Sequence, residues 1–333
     1  MTSKSVVFGS IVVFLGLWTT VASAAPPLAV DMESAADHHV AAQGRYQGGL
    51  ANSWEYDFGS GKSGTNITGV VAHGLLAAHR LTGLQEHEDS ALKAARSLIR
   101  AYDKGWNKRR PHTQDIEFLV AAGFIIDAAR WFKLTTARYS PETYVNMVTS
   151  RRVKSGAPAV AGWDLASAIR AAVAVGELSY AKNLLAATLA QRSRWDREGR
   201  HGGQSLAHGS LLWALADVRD RAGLTPEQER FAAGLVRELV ASQQKSGGWL
   251  DRAGGLLDTQ TAAYAVLGLT RWSGGAKAAA TGRRWLRQVS LTDGRFFMGG
   301  KMWATTYTPT GKAGKNFNSE IQSEAMLALA SGN

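Results

Sequence analysis

The chain has 333 residues, 45% of them hydrophobic and 20% charged, with 38 Lys and Arg against 27 Asp and Glu and no cysteine. The missing cysteines exclude disulfides, thiolate metal sites and thiol nucleophiles. A formal charge of +11 draws polyanions by long-range attraction, besides serving solubility; an acidic polysaccharide or another anionic polymer is the expected partner, and nucleic acid is not.

Lys4, an apolar run from Val6 to Trp18, and Ala22-Ser23-Ala24 before Ala25-Pro26-Pro27 form the three-part layout of a secretory signal peptide. The run is too short for a bilayer core, which needs roughly 20 apolar residues. Residues 1–24 are therefore read as a signal peptide. Residues 25–333 are read as a single secreted or periplasmic domain that leaves the membrane after cleavage.

Beyond the leader one pattern recurs: a helix-like segment ending near Gln, a glycine-rich stretch with Trp, then an apolar helix of small residues. Its clearest copy runs from Leu239 through Gln243, Gly247 and Trp249, and continues from Asp258 to Arg271-Trp272. A second copy keeps the interval, with Glu117 thirteen residues before Arg130-Trp131 as Asp258 stands before Arg271-Trp272. The template predicts six helical hairpins, an all-α (α/α)6 toroid. Outer helices fall at 29–43, 86–102, 141–152, 178–192, 225–243 and 275–289, and inner ones at 66–80, 114–131, 163–176, 204–220, 257–271 and 318–330.

Turn chemistry agrees, because Pro141 and Pro226 follow Ser140 and Thr225 at positions suited to a first turn behind a cap. Inner segments such as Val120 to Ile126 and Ala262 to Leu269 are apolar nearly all round, whereas the outer segment Glu88 to Arg100 alternates apolar and charged residues at helical period. Two long irregular stretches, 44–65 and 290–317, are rich in Gly, Trp, Phe and Tyr. Loops this long inside a compact domain are usually functional, and they are read as the rims of a cleft.

The Gln243-x-x-x-Gly247-x-Trp249 stretch resembles the QW repeat of terpenoid cyclases, and the helix from Asp258 to Leu269 resembles the repeat of the wider toroid superfamily that includes protein prenyltransferases. Degenerate copies run from Gln43 to Trp54, Gln191 to Trp195 and Gln288 to Phe296. The resemblance implies the fold over residues 29–330 and a structural role for Trp249, but the chemical motifs of those families are missing. There is no Asp-x-Asp-Asp cluster, no Asp-Asp-x-x-Asp run and no zinc-binding cysteine. The same architecture serves secreted polysaccharide lyases and glycosidases, an analogy at the level of the fold.

In such a ring the inner-helix N-termini converge on one face, where their free amides favour anions. Positions there are Asn66, His112 to Glu117, Trp163-Asp164, His201 to Gln204, Asp258 to Gln260 and Ser319-Glu320. Asp164 and Asp258 also suit helix caps. His73 follows Asn66 by two turns, and Gln204 and His208 stand one turn apart. Trp54, Tyr56, Trp303 and Tyr307 lie on the rims, where aromatic faces suit sugar rings.

The first reading is a lyase on a uronate-containing polysaccharide. Arg109, Arg110 and Arg200 supply positive charge, His112 or His201 the base, and Tyr264 or Tyr307 the acid. Alternatives are a glycoside hydrolase using two of Glu117, Asp164, Asp258 and Glu320, a non-catalytic binding toroid, and a terpenoid cyclase-like enzyme. No metal or cofactor is expected; calcium would require the fold to gather Asp57, Asp115 and Asp251.

Overall fold

Nearly all-apolar helices alternate along the chain with helices that are apolar on one side only, and this alternation sorts the fold into two layers. The computed structural model describes residues 27–64, 67–103, 166–167, 169–170, 172–173, 176–190, 192, 203–292 and 301–332. The inner layer holds α2 (Ile67–Thr82), α5 (Gly203–Ala222), α7 (Thr259–Thr270) and α9 (Ser319–Ala330). The outer layer holds α1 (Pro27–Ala42), α3 (Gln85–Asp103), α4 (Leu178–Ala190), α6 (Pro226–Ser242) and α8 (Ala276–Val289). In α7 the residues Thr261 to Ala263 and Ala265 to Leu269 are all buried, whereas α3 buries Ala91, Ala94, Ala95 and Leu98 and exposes Asp89, Lys93, Arg96 and Arg100.

Inner neighbours run in the order α5, α7, α9, α2, and α6, α8 and α1 pack outside α5, α7 and α2. The first and last parts of the chain meet where α1 touches α9. That closure is fixed by Arg287 pairing with Asp31 at 3.1 Å and by the Lys301 amide donating to Ser34 at 2.8 Å. This is the α/α toroid expected from the repeat.

Small residues let the inner helices touch backbone to backbone. A Cβ at Gly209 of α5 would stand 2.5 Å from the Tyr264 carbonyl carbon of α7, and one at Gly268 of α7 would stand 2.5 Å from the Gly209 oxygen. At the α2–α9 contact a Cβ on Gly74 would lie 2.8 Å from the Ser323 Cβ. None of these three sites has room for a methyl group.

Helix bounds agree with the repeat to within a few residues. Thr225 caps α6 in a capping box with Gln228, behind Pro226 in the first turn. Asp258 and Asn318 cap α7 and α9, accepting from the Thr261 and Ile321 amides. The predicted 163–176 helix is seen as helical residues at 166–167, 169–170 and 172–173. The predicted helices at 114–131 and 141–152, with Pro141, lie outside the described residues.

Short strands in the rims were not foreseen. β1 (Leu257–Asp258) pairs antiparallel with β4 (Thr306–Tyr307), and β2 (Leu291–Thr292) with β3 (Lys301–Met302). The two rims also join each other: the Phe58 amide donates to Phe317 O at 3.2 Å, and the Ser319 amide to Tyr56 O at 2.9 Å.

Two copies of the Gln–Trp motif superpose in chemistry. Gln243 donates to Gly247 O and Ala278 O, and the buried Trp249 indole donates to Leu239 O at 2.8 Å. Gln43 donates to Asn52 O and Ser90 O, and the buried Trp54 indole donates to His39 O at 2.6 Å. Each indole thus reaches the carbonyl four residues before its glutamine, so Trp54 is a registered member of the repeat rather than a free rim aromatic. Gly209→Ala is expected to lower the unfolding free energy by about 1–3 kcal/mol in denaturant titrations; an unchanged midpoint would contradict the backbone contact.

Candidate functional site

On the inner helices the residues that keep some exposure within otherwise buried turns fall on one stripe each. They are His73 on α2, Trp213 and Asp217 on α5, Gln260 and Tyr264 on α7, and Glu320 and Leu327 on α9. A spacing of three, four or seven residues keeps each set on a single helix face, and these faces line the lumen. Arg170 is half-buried between the buried Ile169 and Ala172.

Near the mouth the stripes of α7 and α9 carry the densest chemistry. Glu320 lies in the first turn of α9, and Glu324 follows one turn deeper, only 2% exposed. At about 1.5 Å per residue, Glu324 sits about 7.5 Å below the start of the helix. Gln260 crosses from α7 to donate to Glu324 Oε1 at 3.1 Å, while Oε2 is buried with no hydrogen-bond partner among the described residues. Burial pushes the Glu324 carboxyl well above the ordinary glutamate value and the Glu320 charge adds to this, against hydrogen bonds from Gln260 and Tyr264. The Tyr264 phenol is pushed up by burial and then by Glu324 and Glu320, with Arg170 opposing.

Tyr56 reaches the same place from the rim and remains 41% exposed. Its phenol is pushed up to about 12 by burial, then by Glu320, Asp57 and Glu324. Deeper than the mouth, ion pairs tie the inner helices together. Arg170 and Arg271 pair with Asp217 at 2.9 and 3.1 Å, Arg271 also pairs with Asp220, and Arg219 pairs with Asp220 at 2.9 Å.

The structure thus brings Tyr56, His73, Gln260, Tyr264 and Glu320, all singled out in the sequence, onto the mouth or inner wall. Other candidates are placed elsewhere. Asp258 uses Oδ1 to accept the Thr261 amide at 2.7 Å as the α7 cap. Tyr307 is fully buried, its hydroxyl accepting the Ala304 amide at 2.9 Å and its ring packed edge-on to Trp285, so it is not a proton donor on the rim. Trp54 and Trp303 are sealed in the core, the latter donating to Leu286 O at 2.7 Å, and offer no face to a sugar. His208 points away from the lumen toward Glu238 of the outer helix α6, at 3.3 Å. Gln204 lies in the first turn of α5. Asn66, Arg109, Arg110, His112, Glu117, Trp163, Asp164, Arg200 and His201 lie outside the described residues, as does Asp115. Among the described residues no group of three or more acidic or histidine side chains could hold a metal ion, and no helix is long and apolar enough to cross a membrane.

Sequence reasoning missed Glu324, Trp213 and Arg170. The available signal was a second glutamate one turn after Glu320 on an otherwise apolar helix.

No protein-family profile and no curated protein matches the chain. Solved structures do match its fold. An unsaturated glucuronyl hydrolase specific for heparin has a TM-score of 0.65 at 11% identity, over 92% of this chain and 96% of its own. An α-1,6-mannanase of family GH76 from Salegentibacter sp. HEL1_6 has 0.61 at 11%, over 92% and 98%. A polysaccharide lyase has 0.56 at 13%, over 92% and 96%. At such identities the likeness establishes the α/α toroid and leaves the chemistry to the residues.

The raised Glu324 value has a thermodynamic consequence. Above the ordinary value of 4.5 the folded protein binds more protons at this site than the unfolded chain does. The associated stability is complete below that pH and is lost as pH rises through the folded-state value. Unfolding titrations across pH should show Glu324→Gln gaining stability relative to the parent protein as pH rises; parallel curves would contradict the assignment.

Proposed function

We propose that this protein is an exported carbohydrate-active enzyme that breaks glycosidic bonds in the toroid mouth. The observation that carries this reading is the carboxyl pair Glu320–Glu324, stacked on the inner face of α9 with Glu324 buried and its value raised. Cleaving a glycosidic bond places the bonding electron pair on the leaving oxygen, which therefore needs a proton. A carboxyl in a desolvated site beside a second carboxyl retains a proton at higher pH, the environment of a general acid.

In this reading the two carboxyls hold one proton between them. Glu320, half-buried at the mouth, meets the leaving oxygen and passes the proton to it. Glu324, sealed one turn deeper, keeps the proton available, and Gln260 and Tyr264 position it.

Both carboxyls approach from one helix, so the group that acts on the opposite side of the sugar must come from another wall. His112, His201, Glu117 and Asp164 are the proposed sources. With a carboxylate there, water would attack the anomeric carbon and the reaction is hydrolysis, which the glutamate pair favours. With a histidine base drawing the C5 proton of a uronate, the reaction is elimination, which the basic charge and the Tyr264 phenol favour. The fold is shared by a glucuronyl hydrolase, a mannanase and a polysaccharide lyase, so substrates of all three kinds belong in the assay.

The protein should be incubated with α-1,6-mannan, with oligosaccharides ending in an unsaturated uronate, and with polyuronates and glycosaminoglycans. New reducing ends report cleavage, and a rise in ultraviolet absorbance marks elimination. Glu320→Gln should lower kcat by roughly 10²–10⁴-fold and Glu324→Gln should lower it and shift the pH profile, with helical content unchanged. Cleavage of none of these glycans, or full activity in both variants, would overturn the reading.

A further inference from the structure

Arg170 is held in an unusual way for a surface ion pair. Its guanidinium carbon lies 3.1 Å above the centroid of the Trp213 ring, so the planar group rests on the indole face. Its Nε donates to Asp217 Oδ2 at 2.9 Å, and the other oxygen of Asp217 is fixed by Arg271 at 3.1 Å. The ring below and the carboxylate at Nε fix the guanidinium's position. Its Nη1–Nη2 edge makes no hydrogen bond to the described residues.

Arg170 stands beside the inner stripe of α5. Trp213 is on the inner stripe of α5, its ring 6.4 Å from that of Tyr264, and the Arg170 side chain is 24% exposed. The surrounding ion pairs leave an excess of positive charge. Three guanidiniums, of Arg170, Arg219 and Arg271, face two carboxylates, of Asp217 and Asp220.

A guanidinium whose Nε is occupied still presents two parallel N–H bonds from its outer edge, and these match the two oxygens of a carboxylate. We propose that the Nη1–Nη2 edge of Arg170 is the subsite for the carboxylate of a uronate residue of the substrate. Trp213 then serves as the platform for Arg170 and not for a sugar ring. The inference rests on the reading of the lumen as a saccharide site, and it makes Arg170 a specificity-determining residue.

Binding tests it separately from turnover. In calorimetric titrations of the protein, glucuronate and galacturonate should bind at least tenfold more tightly than their neutral amides, which keep the shape and lose the charge. Arg170→Gln should abolish that preference. Arg170→Lys, which keeps the charge without the fork, should retain only part of it. Equal binding of uronate and amide by the parent protein, no uronate binding, or a preference that survives Arg170→Gln would overturn the proposal. The parent-protein comparison holds even where a variant folds poorly. Loss of cleavage with the preference intact would contradict only the catalytic reading, and cleavage without the preference would contradict only this one.

Discussion

Helices α5 and α7 touch through Gly209 and Gly268 with no side chain between them, and the geometry of the lumen depends on that contact. Helices separated by ordinary side chains pack with axes about 8–10 Å apart; glycine brings these closer and narrows the ring. The Gly74–Ser323 contact does the same between α2 and α9. Because α7 is held in this ring beside α9, Gln260 can reach across to Glu324 at 3.1 Å. A wider ring would break that bond and leave a buried carboxyl short of a donor, a costly arrangement.

The outer layer is tied to the loops by three indoles. Trp54, Trp249 and Trp303 are fully buried, and each donates its N–H to a carbonyl of an outer helix: His39 of α1, Leu239 of α6 and Leu286 of α8. A buried indole brings a large apolar face and a single donor that must be satisfied, so each ring fixes both the depth and the angle of its loop. Through the first of these, the loop that carries Tyr56 is anchored beside the start of α9, where Glu320 stands. Among the described residues the aromatic rim is therefore largely framework, and Tyr56 stays exposed at the mouth.

The fold was legible in the sequence because its signals are local and periodic. Helix bounds followed from the repeat, and Thr225 with Pro226 marked the start of α6 by chemistry that acts within one turn. The site was legible only in part. Gln260 and Glu320 could be placed at the mouth by counting from helix starts, and Tyr264 entered as a candidate acid. Glu324 follows Ser323 and precedes Ala325-Met326 in a buried run, and its meaning depends on Gln260 and Tyr264, far away in the chain. Arg170 ends the run Leu165 to Ile169 as an ordinary helix charge would, and only the fold lays it on Trp213. One-turn spacing from Gln204 gives His208 a common face without saying which layer that face meets, and the fold turns it toward Glu238 of α6.

The proposed chemistry depends on a proton held in the wall of the lumen. Isotope-edited infrared spectroscopy of the protein with carboxyl-labelled glutamate measures this directly across a pH titration. A protonated-carboxyl band should outlast the ionisation of the ordinary glutamates as pH rises, disappear in Glu324→Gln and persist in a variant of an exposed glutamate such as Glu227→Gln. Ionisation of every glutamate together in the ordinary range, or a persistent protonated band unaffected by Glu324→Gln, would contradict this assignment.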